Sequence, residues 1–481
     1  MTRTVAIVGA GAAGTLTAVN LLRRGDGPSR VVLIERSGTF GPGVAYSTTD
    51  ERHRLNVVAE RMSAFEDEPG HFADWAQRTV GPTAPGAYLP RAHFGAYLRD
   101  LLDAAERGAR GRCRLERVVG EVVAVEPGSR GATAAEAVTA AAAFGAGDAT
   151  TGAWGEAASA DATGATVVFA DGRRIAADDI VLALGSLPAA RPSALPDDPR
   201  VIAAPWAPGA LDEIGGDETS LLIGSGLTGV DVALSLCGRS DRSRAIAISR
   251  GGCLPYEHLP GVRAAVPAPE LPAAPASADG VRNWLERHVR SMRGAGHDWR
   301  EVVDGVRPHV PRLWQSLPPE EQRRFVREHG RAWELRRHRM APESARRVRR
   351  LLDAGQLLVR AGRVVAVRAL ERNVEVLVAG DGDDLRTLRA DRVVLCAGAG
   401  TDVRRASSPL LQGMLASGVA SADPLSLGLR ATPDGALLAA DGTVQPHLHL
   451  LGPLRRGELW ETTAMREIRN QAQTVAHAIA G

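Results

Sequence analysis

The stretch "VAIVGAGAAG", from Val5 to Gly14, decides how this chain folds. It joins a short apolar run to a glycine-rich turn and to the start of a helical pattern, "AAGTLTAVNLLRRG", which Gly25 closes. The next apolar run, "RVVLIER", ends in the charged pair Glu35 and Arg36 and reads as a buried parallel strand. Together these segments predict a complete βαβ unit.

The glycine spacing in this unit suits the pyrophosphate of a dinucleotide. Gly9 permits a tight turn, Gly11 removes a side chain that would block the phosphates from the helix N-terminus, and Gly14 lets helix and strand pack closely. Glu35 follows Gly14 by 21 residues. A carboxylate at that distance accepts hydrogen bonds from both hydroxyls of an unphosphorylated adenosine ribose, so the unit predicts a dinucleotide site.

A second stretch of the same design, "LLIGSGLTG", runs from Leu221 to Gly229 and contains Gly224, Gly226 and Gly229. Its second strand, "AIAISR", ends in Ser249 and Arg250 instead of an acid. A guanidinium and a hydroxyl suit a ribose 2′-phosphate, which predicts NADPH at this site, although Arg250 is also a normal solvated strand-end residue. We therefore expect a resident FAD at the first turn and a transient NADPH at the second.

The order of elements predicts the fold class and the domain boundaries. A β-meander pattern between Arg117 and Ser186 returns from Gly362 to Gly398, and each copy ends in an apolar strand that rejoins a parallel sheet. The fold class is α/β, with two Rossmann-like dinucleotide-binding domains, β-meander elements and a helical insertion. We expect an FAD domain first part (1–196, with a low-complexity excursion at 131–164), an NADPH domain (197–355, with the helical insertion at 281–352) and an FAD domain second part (356–481).

The helical insertion carries tryptophans and an arginine-dense stretch, "RRFVREHGRAWELRRHRM", from Arg323 to Met340. One interpretation is a helical cap whose tryptophans fill its own core. The other is a lid whose arginines face an anionic substrate or the cofactor phosphates. The tryptophans concerned are Trp284, Trp299, Trp314 and Trp333.

Composition excludes several classes of function. The 58 Lys+Arg residues nearly balance 56 Asp+Glu, which argues against nucleic acid and anionic membranes as partners and favours small molecules. All the basic residues are arginine, so a Schiff-base or phosphate-loop lysine is excluded. The four cysteines form no CxxC pair, and neither they nor the histidines show metal spacing, so we predict no metal. Without a signal or spanning segment in the sequence, we expect a soluble cytoplasmic protein.

The glycine turns, the meanders and the C-terminal segment follow the order of the two-dinucleotide-binding-domain flavoproteins, which the chain resembles. Five stretches look closer still to one bacterial FAD/NAD(P)-binding flavoprotein monooxygenase family, whose characterised members include an FAD-dependent urate hydroxylase and a nitrosuccinate-forming aspartate N-oxygenase. These stretches are "GPGVAYSTTDERHRLNVVAERMSAF", "YLPRAHFGAYL", "GSGLTGVDVALSL", "DWREVVDGVRPHVPRLW" and "LLGPLRRGELWETTAMREIRNQA".

The resemblance implies which residues contact the flavin. It places Asn56 and Arg91 near FAD, and the segment from Gly452 through Trp460 and Glu461 to Thr462 beside the isoalloxazine ring. A helix starting at Thr462 or Thr463 would direct its positive end at the edge of the ring that becomes negative on reduction. One departure concerns "LLGP" at Leu450–Pro453, where the related disulfide-reductase-like branch usually has a flavin-binding aspartate.

The hypothesis for chemistry is that NADPH reduces FAD, and that O2 then forms a C4a-hydroperoxide that oxygenates a small anionic, nitrogen-containing substrate. We favour N-oxygenation of an amino acid, with Arg455, or Arg456 beside it, holding a carboxylate and Trp460 stacking on the substrate. The alternatives are ring-carbon hydroxylation of a purine such as urate, a flavin-binding protein without turnover, and a reductase for a protein partner. No catalytic side chain and no oligomeric state follow from the sequence.

Overall fold

The computed structural model describes residues 3–128, 164–272, 277–380 and 384–480. Apart from Gly164, the low-complexity excursion predicted at 131–164 lies outside the described residues. The strands are β1 (Thr4–Val8), β2 (Arg30–Glu35), β3 (Arg114–Val119), β4 (Val122–Pro127), β5 (Ala165–Phe169), β6 (Arg174–Ala177), β7 (Asp179–Leu182), β8 (Val201–Ile202), β9 (Thr219–Ile223), β10 (Arg244–Ser249), β11 (Leu357–Ala361), β12 (Arg363–Ala369), β13 (Val374–Ala379), β14 (Leu385–Ala390), β15 (Arg392–Leu395), β16 (Ala436–Leu438) and β17 (Val444–Leu450).

The α-helices between residues 278 and 353 follow one another without an intervening strand. Within this run a π-helical turn, Phe325–His329, joins the helix that ends at Arg324 to the one that begins at Gly330. The helices are α1 (Ala12–Arg23), α2 (Gly43–Tyr46), α3 (His71–Thr79), α4 (Arg91–Gly108), α5 (Leu227–Cys237), α6 (Ala278–Gly294), α7 (Trp299–Val306), α8 (Val310–Gln315), α9 (Pro319–Arg324), α10 (Gly330–Arg337), α11 (Pro342–Asp353), α12 (Pro409–Ala416), α13 (Arg456–Leu459) and α14 (Met465–Ala480).

Two sheets with parallel cores organise the chain and confirm the predicted fold class. The first has six strands in the order β16-β17-β7-β1-β2-β3, and the second has five in the order β11-β10-β9-β15-β8. In each sheet the glycine turn follows the central strand, β1 or β9. The strand after each meander, β7 or β15, pairs parallel with that central strand.

The alternation of side chains along β1 explains why its sheet is covered on both faces. Val5 and Ile7 pack with α1, α4 and α14, whereas Ala6 and Val8 pack in a second cluster with the first meander and α12. All four side chains are buried. A strand buried on both faces reads as a continuous apolar run, as "VAIV" does.

The repeated meander is confirmed, with a change in its first copy. Strands β4-β5-β6 and β12-β13-β14 each form a three-stranded antiparallel sheet. The predicted single strand from Arg117 to Pro127 is two strands, since β3 belongs to the first large sheet and β4 to the meander. The two strands are separated at Gly120, where a Cβ would lie 2.6 Å from the ring of Phe169.

The sheet topology corrects two domain boundaries. Strands β11 and β15 belong to the second large sheet, so the second unit extends past residue 355 to about residue 396 and includes the second meander. Helix α11 packs against α5 and β11, which makes it the crossover into β11 and not part of the helical insertion. Apolar periodicity predicted these elements but does not reveal which sheet a strand joins.

Candidate functional site

The first glycine turn has the geometry of a phosphate cradle. Gly9 has a φ of +101°, and a Cβ there would lie 2.4 Å from the carbonyl oxygen of Ala183. A Cβ at Gly14 would lie 1.9 Å from the carbonyl oxygen of Gly9. A Cβ at Gly11 would meet only the Cα of Gly43, at 3.5 Å. Gly9 and Gly14 are therefore required by packing, whereas a Cβ at Gly11, at the uncapped N-terminus of α1, would make only an ordinary contact.

Glu35 is held against this turn by backbone groups. Its Oε2 accepts a hydrogen bond from the backbone N–H of Ala10 at 3.0 Å, and its Oε1 accepts from both the N–H and the hydroxyl of Ser37. A carboxylate oxygen accepts more than one hydrogen bond, so the oriented group can still accept the ribose hydroxyls. Arg36 is exposed beside it.

The loop that begins with "GPG" closes over the same turn. The N–H of Gly41 donates to the carbonyl of Ala10 at 2.8 Å. Gly43 has a φ of +54°, and a Cβ there would lie 2.8 Å from the Cα of Gly11. Sequence reasoning assigned no role to this loop, although two glycines flanking Pro42 signal a backbone that approaches another closely.

The second glycine turn repeats the first. Gly224 has a φ of +122°, and its Cβ would lie 2.4 Å from the carbonyl oxygen of Cys396. A Cβ at Gly229 would lie 2.4 Å from the carbonyl oxygen of Gly224, whereas a Cβ at Gly226 would meet nothing within 4 Å. As at the first turn, the middle glycine is the one whose Cβ would not overlap the protein, and at Gly226 it would face open space at a helix N-terminus. Both cradles fit a dinucleotide pyrophosphate.

Strand β10 ends at Ser249, and Arg250 follows it; these two residues are predicted to face the ribose of a second nucleotide. The hydroxyls of Ser225 and Ser249 are 2.7 Å apart, which fixes Ser249 against the turn. Arg250 is exposed and makes no hydrogen bond or ion pair with the described residues. Its guanidinium is therefore available to a 2′-phosphate.

A polar cavity of about 340 Å³ contains Asn56, one of the predicted flavin contacts. It is assembled from four stretches of chain: the loop at 56–88, the segment at 258–265, the helical insertion, and the start of α14. Basic side chains from these stretches dominate its lining. They are Arg61, Arg263, Arg300, Arg307, Arg337, Arg339, Arg466 and Arg469.

Two of these arginines are buried with unused donors. Arg339 is 1% exposed and Arg337 is 5% exposed. Arg339 is ion-paired with Asp304 through Nη2, and Arg337 Nε lies 3.2 Å from Glu461. Arg339 Nε and Nη1 and Arg337 Nη2 donate to no described residue. Buried donors without acceptors are costly, so an anion within reach of these groups would stabilise them.

His258 lies in the same cavity and is neutral. Burial and the positive charge of Arg339 lower its pKa to about 3, against the opposing effect of a hydrogen bond with the backbone of Asn56. The ring packs against Tyr88. Sequence reasoning treated His258 as a packed or solvated residue, and the structure gives it a packed position at the cavity wall.

The C-terminal segment brings the start of α14 to this cavity. The N–H of Gly452 donates to Gln471 Oε1, and the hydroxyl of Thr462 donates to the carbonyl of Gly452, each at 2.7 Å. The helix begins at Met465 and not at Thr462 or Thr463 as predicted, and the Thr462 hydroxyl also accepts a hydrogen bond from Gln471 Nε2 at 2.8 Å. Ala464, Met465 and Arg466 line the cavity, so the helix N-terminus opens on it.

Trp460 and Glu461 both contact the helical insertion. The Trp460 indole packs between Trp314 and Phe325, with ring centroids 5.0 and 5.1 Å away. Glu461 accepts a hydrogen bond from Trp333 Nε1 at 2.7 Å. Burial raises the pKa of Glu461, but Arg337 and other neighbours outweigh it, so the net pKa is lowered and the carboxylate stays charged. Both side chains anchor the insertion to the C-terminal segment.

Arg455 is not available to a substrate, which corrects that expectation. It is 1% exposed, forms an ion pair with Glu458 at 2.7 Å, and donates to the carbonyls of Thr432 and Pro433. Its neighbour Arg456 pairs with Glu334 and stacks on Trp460. Two adjacent arginines look alike in sequence, and only packing shows that their charges are already compensated.

Arg91 forms an ion pair that connects the two nucleotide-binding units. Its Nη2 lies 2.7 Å from Asp231 on α5, and its Nε donates to the carbonyl of Arg54. The structure thus gives Arg91 an ion pair to the helix that follows the second glycine turn, and the flavin contact implied by the resemblance stays a prediction. The aspartate sits on a helix that looked apolar in sequence, which gave no signal for this pairing.

The helical insertion combines both interpretations that the sequence left open. Trp284 and Trp314 are buried in its own hydrophobic cluster, and five of the chain's eight tryptophans line an apolar cavity of about 710 Å³. Helix α7 presents Trp299 and Val303 to that cavity and Arg300 and Asp304 to the polar one. The insertion is thus a packed cap on one side and an arginine-bearing wall on the other.

In the part of the chain that the structure describes, no group of three or more His, Cys, Asp and Glu side chains is placed to hold a metal ion. None of its helices is long and apolar enough to cross a membrane.

Known proteins share this fold at low sequence identity. An ornithine N-hydroxylase from Kutzneria sp. 744, solved with reduced FAD, NADP+ and L-ornithine, superimposes with a TM-score of 0.59 at 16% identity, covering 100% of this chain and 99% of that one. A cadaverine monooxygenase from Erwinia amylovora, bound to FAD, superimposes with a TM-score of 0.58 at 11% identity, covering 99% of this chain and 94% of that one. A bacillithiol disulfide reductase from Bacillus cereus superimposes with a TM-score of 0.53 at 14% identity, covering 100% of this chain and 99% of that one.

Sequence comparison adds one match. No curated protein has a significantly similar sequence. Residues 6–150, which contain the first glycine turn and Glu35, match the family model described as FAD-NAD(P)-binding. The chain therefore carries an FAD-NAD(P)-binding family domain at its N-terminus and, over its whole length, has the fold of the flavoproteins with two dinucleotide-binding domains.

Proposed function

We propose that this protein is an FAD- and NADPH-dependent monooxygenase that oxygenates a small anionic, nitrogen-containing substrate, with N-oxygenation of an amino acid as the reaction. The observation that carries the proposal is the pair of glycine turns with one geometry and different ribose-facing residues, Glu35 and Arg250. A chain that binds two different nucleotides has the parts needed to pass a hydride from one to the other.

The relatives of known structure support the reaction class. Two of them are named as hydroxylases or monooxygenases of the amines ornithine and cadaverine. The reductase neighbour acts on a disulfide, and this chain has no CxxC pair to pass electrons to. An oxygenase is therefore the better fit than a disulfide reductase.

The cofactor carries the redox chemistry, and the protein supplies binding, orientation and electrostatics. The N-termini of α1 and α5 hold the pyrophosphates, Glu35 holds one ribose, and Arg250 holds the 2′-phosphate of the other. The polar cavity holds the substrate beside the start of α14. Apolar side chains such as Val57, Met62 and Met465 line the same cavity and restrict the entry of water.

Flavin reduction separates this proposal from its rivals. Purified holoprotein mixed anaerobically with NADPH should lose its long-wavelength flavin absorbance, and re-oxidation in air with an amino acid should yield a product with one added oxygen atom. A flavin that NADPH never bleaches would indicate a binding protein. Bleaching followed by electron transfer to an added redox protein, with little oxygen uptake, would indicate a reductase. Amino acids and purines tested side by side distinguish N-oxygenation from ring hydroxylation.

Arg250→Ala tests the choice of NADPH. Loss of the guanidinium should raise KM for NADPH about tenfold or more and leave KM for NADH nearly unchanged, because only NADPH carries the 2′-phosphate. The matched control is Arg360→Ala, an exposed arginine on the neighbouring strand β11. Equal increases for the two nucleotides would contradict the assignment.

A further inference from the structure

Arg337 and Arg339 present their side chains to the same cavity because of the backbone between them. Helix α10 ends at Arg337, and His338 leaves it with a ψ of 85°. The chain then forms a bridge in which Met340 pairs with Glu257, with its N–H donating to the carbonyl of Tyr256 at 2.7 Å. The turn out of the helix and the bridge fix the backbone on both sides of His338, and Arg337 and Arg339 both line the polar cavity.

The ion pairs around the polar cavity use only part of each of the two guanidinium groups. Eight arginines line the cavity, and four of them have carboxylate partners: Arg300 with Asp298, Arg307 with Glu467, Arg337 with Glu461 and Arg339 with Asp304. Asp304 engages one end of Arg339, and Glu461 lies on one side of Arg337. The remaining N–H groups, Arg339 Nε and Nη1 and Arg337 Nη2, are buried without an acceptor among the described residues.

Glu60 adds a free acceptor to the same cavity. Its Oε1 accepts a hydrogen bond from the N–H of Gly86 at 2.7 Å, which fixes the side chain. Its Oε2 is buried and accepts from no described residue. The cavity wall thus offers unsatisfied guanidinium donors together with one unsatisfied carboxylate acceptor. A ligand that satisfies both has an anionic oxygen group and an N–H group.

We propose that Arg337, Arg339 and Glu60 form the recognition site for an amino-acid substrate, with the two guanidinium groups binding its carboxylate and Glu60 Oε2 accepting an N–H from its amino group. The inference deepens the proposed function and depends on it only for naming the bound amino acid a substrate. Arg337 and Arg339 also determine specificity, because an uncharged or cationic ligand would leave their buried donors unpaired.

The test measures binding to the oxidised holoprotein without turnover. Each standard amino acid is titrated by calorimetry, and the tightest binder is compared with its amide, which lacks the carboxylate, and with its des-amino acid, which lacks the amine. Both analogues should bind about tenfold or more weakly than the parent. FAD absorbance and Tm confirm that each protein is intact.

The variants assign the two groups of the ligand to residues. Arg337→Gln and Arg339→Gln should weaken binding of the amino acid about tenfold or more, and these variants should bind the amide as tightly as the amino acid. Glu60→Gln should bind the des-amino acid as tightly as the amino acid. Arg336→Gln, an exposed neighbour outside the polar cavity, is the matched control. If Arg339→Gln does not fold, Arg339→Lys takes its place, since lysine keeps the charge but offers a different donor geometry.

Three results would overturn the inference. In the first, no amino acid binds. In the second, Arg337→Gln and the Arg339 variant prefer the amino acid to its amide as strongly as the wild type does. In the third, these variants lose affinity for NADP+ and keep their affinity for the amino acid. The last result would assign the two arginines to a cofactor phosphate. A failed flavin-bleaching experiment would contradict the proposed function but leave the binding result standing, so the two failures are distinguishable.

Discussion

Gly11 differs from the other two glycines of its turn, because the protein's own packing does not require a glycine there. Gly9 and Gly14 are required by the fold, since a Cβ at either position would overlap a carbonyl oxygen. Gly11 is not, because its Cβ would make only an ordinary contact with Gly43. The sequence motif treats the three glycines alike, and the structure separates two packing roles from one binding role.

Gly11→Val should therefore yield a folded protein that lacks bound FAD. The added side chain extends into the space at the N-terminus of α1, where the pyrophosphate would lie, and removes little of the protein's own packing. The measurement is the ratio of flavin absorbance to protein after purification, with circular dichroism as the test of folding. Gly108→Val, at the end of α4 with open space around it, is the control and should retain its flavin. If purified Gly11→Val contained one flavin per protein molecule, the assignment of FAD to the first glycine turn would be contradicted.

Helix α5 is the element that joins the two nucleotide-binding units. Its N-terminus forms the second cradle, and its buried side carries Asp231, which pairs with Arg91 of α4. One turn further on, Ser235 lies 2.5 Å from Asp50 and 2.8 Å from His53 Nε2. The helix that would hold NADPH is thereby fixed to loops of the first unit.

Asp231→Asn tests this coupling. Weakening a buried, charged hydrogen bond should lower the free energy of unfolding by about 1–3 kcal/mol, and it should slow flavin reduction by NADPH because the two units lose their fixed relation. Thermal unfolding and anaerobic stopped-flow reduction measure the two effects, with FAD content expected to stay unchanged. Asp217→Asn, from an exposed pair with Arg242, is the matched control and should cost less than about 1 kcal/mol. Reduction at the wild-type rate in Asp231→Asn would show that the pair has no positioning role.

The polar cavity is a property of the whole molecule, since four stretches far apart in sequence supply its wall. The salt bridge between Arg307 and Glu467 ties the insertion to α14, and Arg339 is fixed by the bridge at Met340. His258 is held neutral in this concentration of positive charge, with a pKa of about 3. The site therefore contributes to how the stability of the entire chain depends on pH.

Between about pH 3 and 6.5 the free energy of unfolding should rise with pH, because an unfolded histidine has a pKa near 6.5 and binds a proton that the folded His258 does not. The contribution is present above pH 6.5 and is lost as the pH falls towards 3. His258→Gln should show a smaller decrease in Tm between pH 7 and pH 5 than the wild type. His477→Gln, an exposed histidine on α14, is the control. An equal decrease in wild type and His258→Gln would contradict the neutral state of His258.

The sequence by itself determined the two βαβ units and the repeated meander, and it predicted the ribose-facing residues. These features depend on local periodicity and on glycines whose backbone conformation is set within a few residues. It also marked the arginine-dense stretch that contains Arg337 and Arg339, without showing which arginines are free.

Tertiary structure alone decided the rest. It placed β11 and β15 in the second sheet, buried Arg455 against Glu458, paired Arg91 with Asp231, and left Arg337 and Arg339 with unused donors. The physical reason is that every arginine carries the same charge in the sequence. Whether that charge is already compensated depends on acids and carbonyls that approach it from distant parts of the chain.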